Sequence, residues 1–288
     1  MKPVPFEYHR AGSVKEAVSL LARFGADARI LAGGLSLVPA LNLRHVRPSH
    51  VVDINGIADL DYVEAVDGWL RIGALARHAA FCAPMVNGPL GGLLPLMARF
   101  IGHDPIRRRG TFVGTIVQQS PAAEWCLLCH LLQARIVVVG TGGERIETVG
   151  ASSGGSFVKV DPCDVVVEVR LPILGDDWTC GFREFAPRSN DPALGMALAL
   201  LRTRGGRIEE ARLGIAGIDT PWRRLANTEQ ALIGDMLAGE ARIGLTDIAR
   251  ADVDVPGRSE HGAAYRAHLL SRLAVGAVAD CAAGGGGR

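Results

Sequence analysis

The chain has 288 residues, 48% of them hydrophobic, with 36 glycines and 15 prolines. That composition is globular, and its length suggests about two domains at roughly 150 residues each. A formal net charge of +1 from 31 basic and 30 acidic side chains leaves no electrostatic footprint for nucleic acid or an anionic membrane.

The start, Met1 to Glu7, lacks the apolar core of a signal peptide. No apolar run reaches the ~18 residues of a membrane-spanning helix, so a cytoplasmic location is expected. Val4 to His9 reads as a short strand. Ser13-Val14-Lys15-Glu16 is a capping box, followed at helical spacing by Ala17, Leu20, Leu21 and Phe24. Ala28 to Ala32 is an apolar strand that stops at Gly33-Gly34. A short helix over Leu35 to Leu41 and a strand at Val51 to Ile54 complete a β-α-β unit of the first 55 or so residues.

Leu60 to Val66 and Leu70 to Ile72 read as paired strands joined at Asp67-Gly68. Helices are expected over Ala76 to Phe81 and Leu90 to Phe100, then an Arg- and Gly-rich loop from Gly102 to Gly114. A helix around Trp125, strands over Ala134 to Gly140 and Asp164 to Leu171, and a break near Gly175-Asp176-Asp177 follow. The remainder reads as strands (Gly181 to Phe185, Ala193 to Arg202, Arg207 to Ile215), then helices, the last near Glu260 to Cys281, with a frayed Gly-rich tail from Ala282 to Arg288.

Six cysteines make no disulfide framework. Cys126-Leu127-Leu128-Cys129-His130 spells a haem-attachment pattern, but it lies in an apolar helix, where free cysteine packs as a small hydrophobe. The remaining histidines show no metal-ligand spacing, and no metal is assigned. Arg107-Arg108-Arg109 reads as a loop that salt-bridges to a partner or to its own domain.

Two glycine-bearing loops stand out. In Arg29-Ile30-Leu31-Ala32-Gly33-Gly34-Leu35-Ser36, backbone amides without a Cβ in the way can approach an anion. The second, Arg107 to Thr115, leads towards Ser120 to Glu124 and clusters Thr111, Thr115, Gln118 and Ser120 around glycines. Neither is a G-x-G-x-x-G or Walker A loop, and each alone reads as well as a tight turn.

Together, and in order, the loops and the segments between them resemble the FAD-binding medium subunit of the molybdenum hydroxylases, the xanthine dehydrogenase and aerobic carbon monoxide dehydrogenase family. The matching segments are Ala32 to Leu37; Leu41 to Arg44 with Pro48 and Val52-Asp53-Ile54-Asn55; Ile72-Gly73-Ala74 with His78-Ala79; Ile106 to Gly114 with Pro121 to Glu124; Val166, Glu168, Val169, Arg170 and Pro172; and Tyr265-Arg266 with Leu269. The resemblance implies an α+β fold: two α/β subdomains, 1–56 and 57–177, with FAD in the cleft between them, and a C-terminal domain, 178–288, of antiparallel sheet packed on helices. It places Arg29, Ile30, Leu31, Ala32, Gly33, Gly34, Leu35 and Ser36 around the FAD diphosphate, and Ile101 and Gly102 near the flavin or adenine. It adds Gly110, Thr111, Gly114, Thr115, Gln118, Ala123 and Glu124, the last accepting from ribityl or ribose hydroxyls. Val166 lies beside a ring, Arg183 faces the flavin edge, and Asp191 completes the set; a surface ion pair between Arg183 and Asp191 is the plainer reading.

The resemblance also implies the role of an oxidoreductase subunit, one that forms a complex with a small [2Fe–2S] subunit and a large molybdopterin subunit, as a dimer of heterotrimers. FAD takes electrons from the clusters and passes them to an external acceptor (NAD, oxygen or a quinone) during hydroxylation of an N-heteroaromatic, a purine or CO. The chain lacks a four-Cys cluster pattern of its own and a hydrolase-like nucleophile–base pair. Alternatives are a self-sufficient FAD oxidase of the vanillyl-alcohol type, or a non-catalytic assembly protein on the same fold. Four departures bear on FAD: Val113 replaces a family glycine, Leu35 a polar residue, Ser120 an aspartate and Phe182 a tyrosine.

Overall fold

A computed structural model describes residues 1–150, 159–189, 191–237, 244–253 and 262–283. The expected tail lies mostly outside them. The chain forms two units. Unit 1 is Met1–Ala80, His103–Gln119 and Gln133–Pro172; unit 2 is Phe81–Gly102, Ser120–Leu132 and Ile173–Arg288.

Unit 1 opens with β1 (Glu7–Arg10), α1 (Val14–Phe24), β2 (Ala28–Leu31), α2 (Leu37–Asn42) and β3 (His50–Asp53). The strands form a parallel sheet in the order β1-β3-β2. The Ser13 hydroxyl accepts from the Glu16 amide at 3.1 Å, and the Glu16 carboxylate reaches back to the Gly12 amide at 2.8 Å. The reciprocal cap thus closes one residue earlier than the motif predicts. Ala17, Val18 and Leu21 form the buried face of α1.

Unit 1 also holds an antiparallel sheet of five strands, β4 (Val63–Val66), β5 (Trp69–Gly73), β6 (Arg135–Gly140), β7 (Gly143–Thr148) and β8 (Val165–Pro172), in the order β4-β5-β8-β6-β7. Asp67 (φ 50°) and Gly68 (φ 78°) make the left-handed pair that a tight β4–β5 hairpin needs. Inside this sheet Glu168 is almost fully buried and takes hydrogen bonds from Tyr62 (2.5 Å), Arg71 (2.6 Å) and Arg170. Burial pushes its carboxyl up, but these donors outweigh burial and hold it below its ordinary value.

The Gly102–Gly114 stretch is not one loop. It contains a single helical turn, α4 (Asp104–Arg107), and the start of α5 (Phe112–Gln118). Thr111 caps α5, its hydroxyl accepting from the Gly114 amide at 3.0 Å. The helix expected at Ala76 to Phe81 is a 3-10 turn over His78–Cys82.

Unit 2 holds α3 (Gly88–Ala98), α6 (Glu124–Leu132), β9 (Trp178–Phe185), β10 (Gly195–Arg204), β11 (Arg207–Gly217), β12 (Thr220–Arg224), α7 (Ala226–Leu232), α8 (Leu245–Asp252) and α9 (Ala263–Ala282). The four strands form an antiparallel sheet in the order β12-β11-β10-β9. One face packs on α9; α3 and α6 cover the other. Both faces being covered explains why β10 is buried from Gly195 to Leu201 without alternation. The α9 side of this core contains Ala197, Ala199, Leu201, Leu213, Ile215, Leu270, Ala274 and Val278. Gly181 allows the close approach: a Cβ there would lie 2.0 Å from the Ala277 carbonyl oxygen of α9.

Candidate functional site

Unit 1 contains a cavity of about 690 Å³, lined by the β2–α2 loop, by α5 and by the approach to β8. That size is within the range for organic ligands and cofactors. Thirteen of the residues assigned from the sequence line it together: Arg29, Ile30, Ala32, Gly33, Gly34, Leu35, Ser36, Gly110, Thr111, Gly114, Thr115, Gln118 and Val166. Leu31 lies in β2 between lining residues.

Its floor is a backbone cradle. Gly34 has φ 78°, a conformation costly for a side chain. A Cβ on Gly33 would lie 2.4 Å from the Arg109 carbonyl oxygen, and one on Gly110 would lie 2.7 Å from the His78 ring. The amides of Gly33, Gly34, Leu35 and Ser36 have no acceptor among the described residues. Such a row of amides suits an anion.

Side chains outside the predicted set hold the two loops together. The Asn55 amide donates to the carbonyls of Ala32 (2.8 Å) and Leu31 (3.4 Å), and to Asp53 Oδ1 (2.6 Å). Arg77 donates to Asn55 Oδ1 at 2.7 Å and to the Arg109 carbonyl at 2.5 Å. One arginine thus ties the first glycine loop, through Asn55, to the second. The Asp-Ile-Asn motif is the signal for the Asn55 half of this clamp; Arg77, 22 positions from Asn55 and 32 from Arg109, has no local one.

His78, part of the Ile72-Gly73-Ala74…His78-Ala79 motif, is buried and lines the cavity. Burial, reinforced by Arg77 and Arg107, pushes its pKa down to about 4, so the imidazole is neutral at physiological pH. Its Nε2 lies 3.5 Å from Thr115 Oγ1. Asp164 also lines the cavity, paired with Arg145 at 2.6 Å. The Arg29 guanidinium turns back on its own chain, donating to the carbonyls of Ala26 and Ala28, both at 2.7 Å. The polar character of the cradle is therefore backbone, not cationic.

Val113 lies inside α5, buried and with no left-handed backbone. The backbone at this position is ordinary helix, which accepts a valine. Leu35 lines the cavity as an apolar contact.

Six assigned residues belong to unit 2. Ile101 and Gly102 follow α3, Gly102 at φ 49°. Ala123 and Glu124 open α6, both buried. Burial pushes the Glu124 carboxyl up, and Glu184 of β9, also raised by burial, is pushed further by Glu124. Arg183 pairs with Asp280 of α9, at 2.8 Å and 2.7 Å, so Asp191 is not its ionic partner. The Asp191 amide instead closes a turn on the Arg188 carbonyl.

Cys126 and Cys129 are fully buried in α6, and burial raises both thiols, as packing cysteines require. No helix among the described residues is long and apolar enough to cross a membrane.

Comparison with known proteins agrees with this architecture. Residues 4–174 match the FAD binding domain in molybdopterin dehydrogenase, and residues 181–280 match the CO dehydrogenase flavoprotein C-terminal domain. The chain is 34% identical to the 6-hydroxypseudooxynicotine dehydrogenase complex subunit alpha of Paenarthrobacter nicotinovorans, covering 95% of this chain and 93% of that one. It is 29% identical to the carbon monoxide dehydrogenase medium chain of Hydrogenophaga pseudoflava, over 98% of this chain and all of the other. Its structure superposes on carbon monoxide dehydrogenase from Hydrogenophaga pseudoflava with a TM-score of 0.88 at 29% identity, covering 98% and 99% of the two chains. On quinoline 2-oxidoreductase from Pseudomonas putida 86 the TM-score is 0.86 at 27% identity, with 99% of each covered. With both of its domains matched and nearly every residue aligned, the chain belongs to the molybdenum hydroxylase family as an FAD-binding oxidoreductase subunit.

Proposed function

We propose that the chain is the electron-transfer subunit of a three-component molybdenum hydroxylase, taking electrons from [2Fe–2S] clusters on a small subunit and delivering them to an external acceptor. A large molybdopterin subunit performs the hydroxylation, and the complex is a cytoplasmic dimer of heterotrimers. The substrate class is a small N-heteroaromatic, a purine or CO; relatives are named for nicotine, caffeine and carbon monoxide.

The observation that carries this reading is the row of four amides without an acceptor above two glycines whose Cβ positions are already filled. A diphosphate fits that donor set, which offers hydrogen bonds at a spacing no side chain obstructs. Bound there, FAD supplies the redox chemistry, and the protein supplies position and electrostatics. Gly33, Gly34, Leu35 and Ser36 hold the diphosphate. Thr111, Thr115 and Gln118 offer polar atoms along the same wall, Gly110 and Gly114 keep it close, and Val166 contributes apolar surface. Neutral His78 orients the Thr115 hydroxyl without adding charge. For Ile101, Gly102, Ala123, Glu124, Arg183 and Asp191 the assignment rests on the family resemblance and not on the cavity.

The test is FAD titration of the apoprotein. Gly33→Ala puts a methyl against the Arg109 carbonyl and should reduce affinity at least tenfold, while Val113→Gly should leave it near wild type. Equal affinity in Gly33→Ala and wild type would overturn the cradle assignment. Flavin that remains with acid-precipitated protein would favour the covalent-flavin oxidase instead.

A further inference from the structure

The parallel pairing of β1 and β3 sets Glu7 opposite His50. His9, two residues along β1, projects from the same face. The three side chains converge. His9 Nε2 lies 3.1 Å from His50 Nδ1, and Glu7 Oε2 lies 3.8 Å from the first and 3.6 Å from the second. Phe24, at the end of α1, stacks on the His50 ring at 3.7 Å between centroids and on the His9 ring at 5.0 Å. The two imidazoles are therefore held in place by packing; their side chains are only 22% and 18% exposed, whereas Glu7 is 74% exposed. None of the four residues lines the FAD cavity.

We propose that Glu7, His9 and His50 form a site for a divalent transition metal of the zinc class. The donor triangle has the size this requires. A point about 2.0 Å from all three atoms exists in their plane, and zinc sits ~2.0–2.1 Å from imidazole nitrogen and ~2.0–2.2 Å from carboxylate oxygen. Two imidazoles and one carboxylate are ligands that zinc accepts, and they are poor for calcium or magnesium, which prefer oxygen. The open side at Glu7 leaves the fourth position to water. The metal would pin the N-terminal strand to the middle strand of its sheet. His9 and His50 lie 41 positions apart, so no sequence spacing shows the site; it is assembled by strand register.

The proposal is independent of the FAD assignment and is tested on the flavin-loaded, tag-free protein. The exposed Cys82 is replaced by serine to remove a competing thiol. Zn²⁺ is titrated against a chromophoric chelator, and Co²⁺ is added separately as a spectroscopic probe. One equivalent of zinc should bind, and thermal stability should rise with zinc concentration. Cobalt should show four-coordinate d–d absorption without a sulfur charge-transfer band. His9→Ala and His50→Ala should each weaken binding at least tenfold, and Glu7→Gln, at an exposed position, should weaken it without disturbing the fold. Substituting the exposed His45 should change nothing. Failure to bind zinc in excess, binding undiminished in both histidine variants, or a thiolate signature with cobalt would overturn the site.

Discussion

Asn55 and Arg77 tie together the two glycine loops of the proposed cofactor site without lining the cavity. Asn55 holds the carbonyls of Leu31 and Ala32, and Arg77 holds Asn55 and the Arg109 carbonyl. Removing Asn55 takes one partner from Arg77, but Asn55 is exposed and Arg77 only half-buried, so water can satisfy the freed guanidinium. The loss is that of an ordinary hydrogen bond, about 0.5–1.5 kcal/mol. Asn55→Ala should therefore weaken FAD binding about two- to tenfold, as read by flavin fluorescence in titrations of the apoprotein. Asn55→Asp keeps an acceptor for Arg77 but cannot donate to Ala32, so it should fail as well. Normal affinity in both variants would show that the clamp does not set the loop.

A second residue-scale expectation concerns pH. Glu184 is raised by burial and then by Glu124, and its Oε2 has no hydrogen-bond partner. A carboxyl whose pKa is higher in the folded than in the unfolded chain costs nothing below the unfolded value near 4.5. Its cost grows as pH rises, because the unfolded chain ionises while the folded one resists. The melting temperature of Glu184→Gln minus that of wild type should therefore increase steadily from pH 4.5 towards pH 8. A difference independent of pH would place the carboxyl in a solvated environment.

At the scale of elements, what was legible in the sequence follows from period and cap. Ser13 with Glu16, and the helical spacing of Ala17, Leu20, Leu21 and Phe24, marked α1 because both signals are local; the face it buries is Ala17, Val18 and Leu21. The unbroken apolar run Met196 to Leu201 marked β10. β7 was missed because Gly143–Thr148 is an edge strand with charged residues and little burial, so no alternation betrays it. β12 is short and contains Pro221, a residue that argues against a strand. α5 was hidden for another reason. Its glycine and threonines read as loop chemistry, whereas Thr111 is a cap and Gly114 sits where its amide meets that cap, a Cβ there lying 2.6 Å from the Thr111 hydroxyl oxygen. Thr111→Ala should cost about 1 kcal/mol of stability, seen as a lowered denaturant midpoint with unchanged slope. Thr111→Ser should restore most of it. Equal loss in both would point to the Thr111 methyl packing, and not the cap, as the stabilising contact.

Across the whole molecule, the family and the cavity were legible because motifs of the glycine loops keep their order along nearly all of the chain. The Arg183–Asp280 pair and the Asn55–Arg77 clamp were not, since each joins residues far apart in sequence. Partner binding belongs to this scale too. Formal net charge is +1, so long-range attraction contributes little to assembly. Each unit instead presents large apolar side chains to solvent, among them Tyr8, Val38, Leu43 and Val117 in unit 1 and Ile218, Ile248 and Tyr265 in unit 2. Stable interfaces bury about 1,200–2,000 Å² or more, and permanent ones are the more apolar. Salt at ~1 M shortens the Debye length to about 3 Å and removes most attraction between exposed charges, but leaves apolar burial intact. A tagged chain drawn from its native host should therefore retain a molybdenum protein and an iron–sulfur protein through washes in high salt. Loss of both at raised ionic strength would mean a charge-steered encounter. A chain that purifies alone, yellow, and turns over a substrate with oxygen would replace the subunit reading with that of a self-sufficient oxidase.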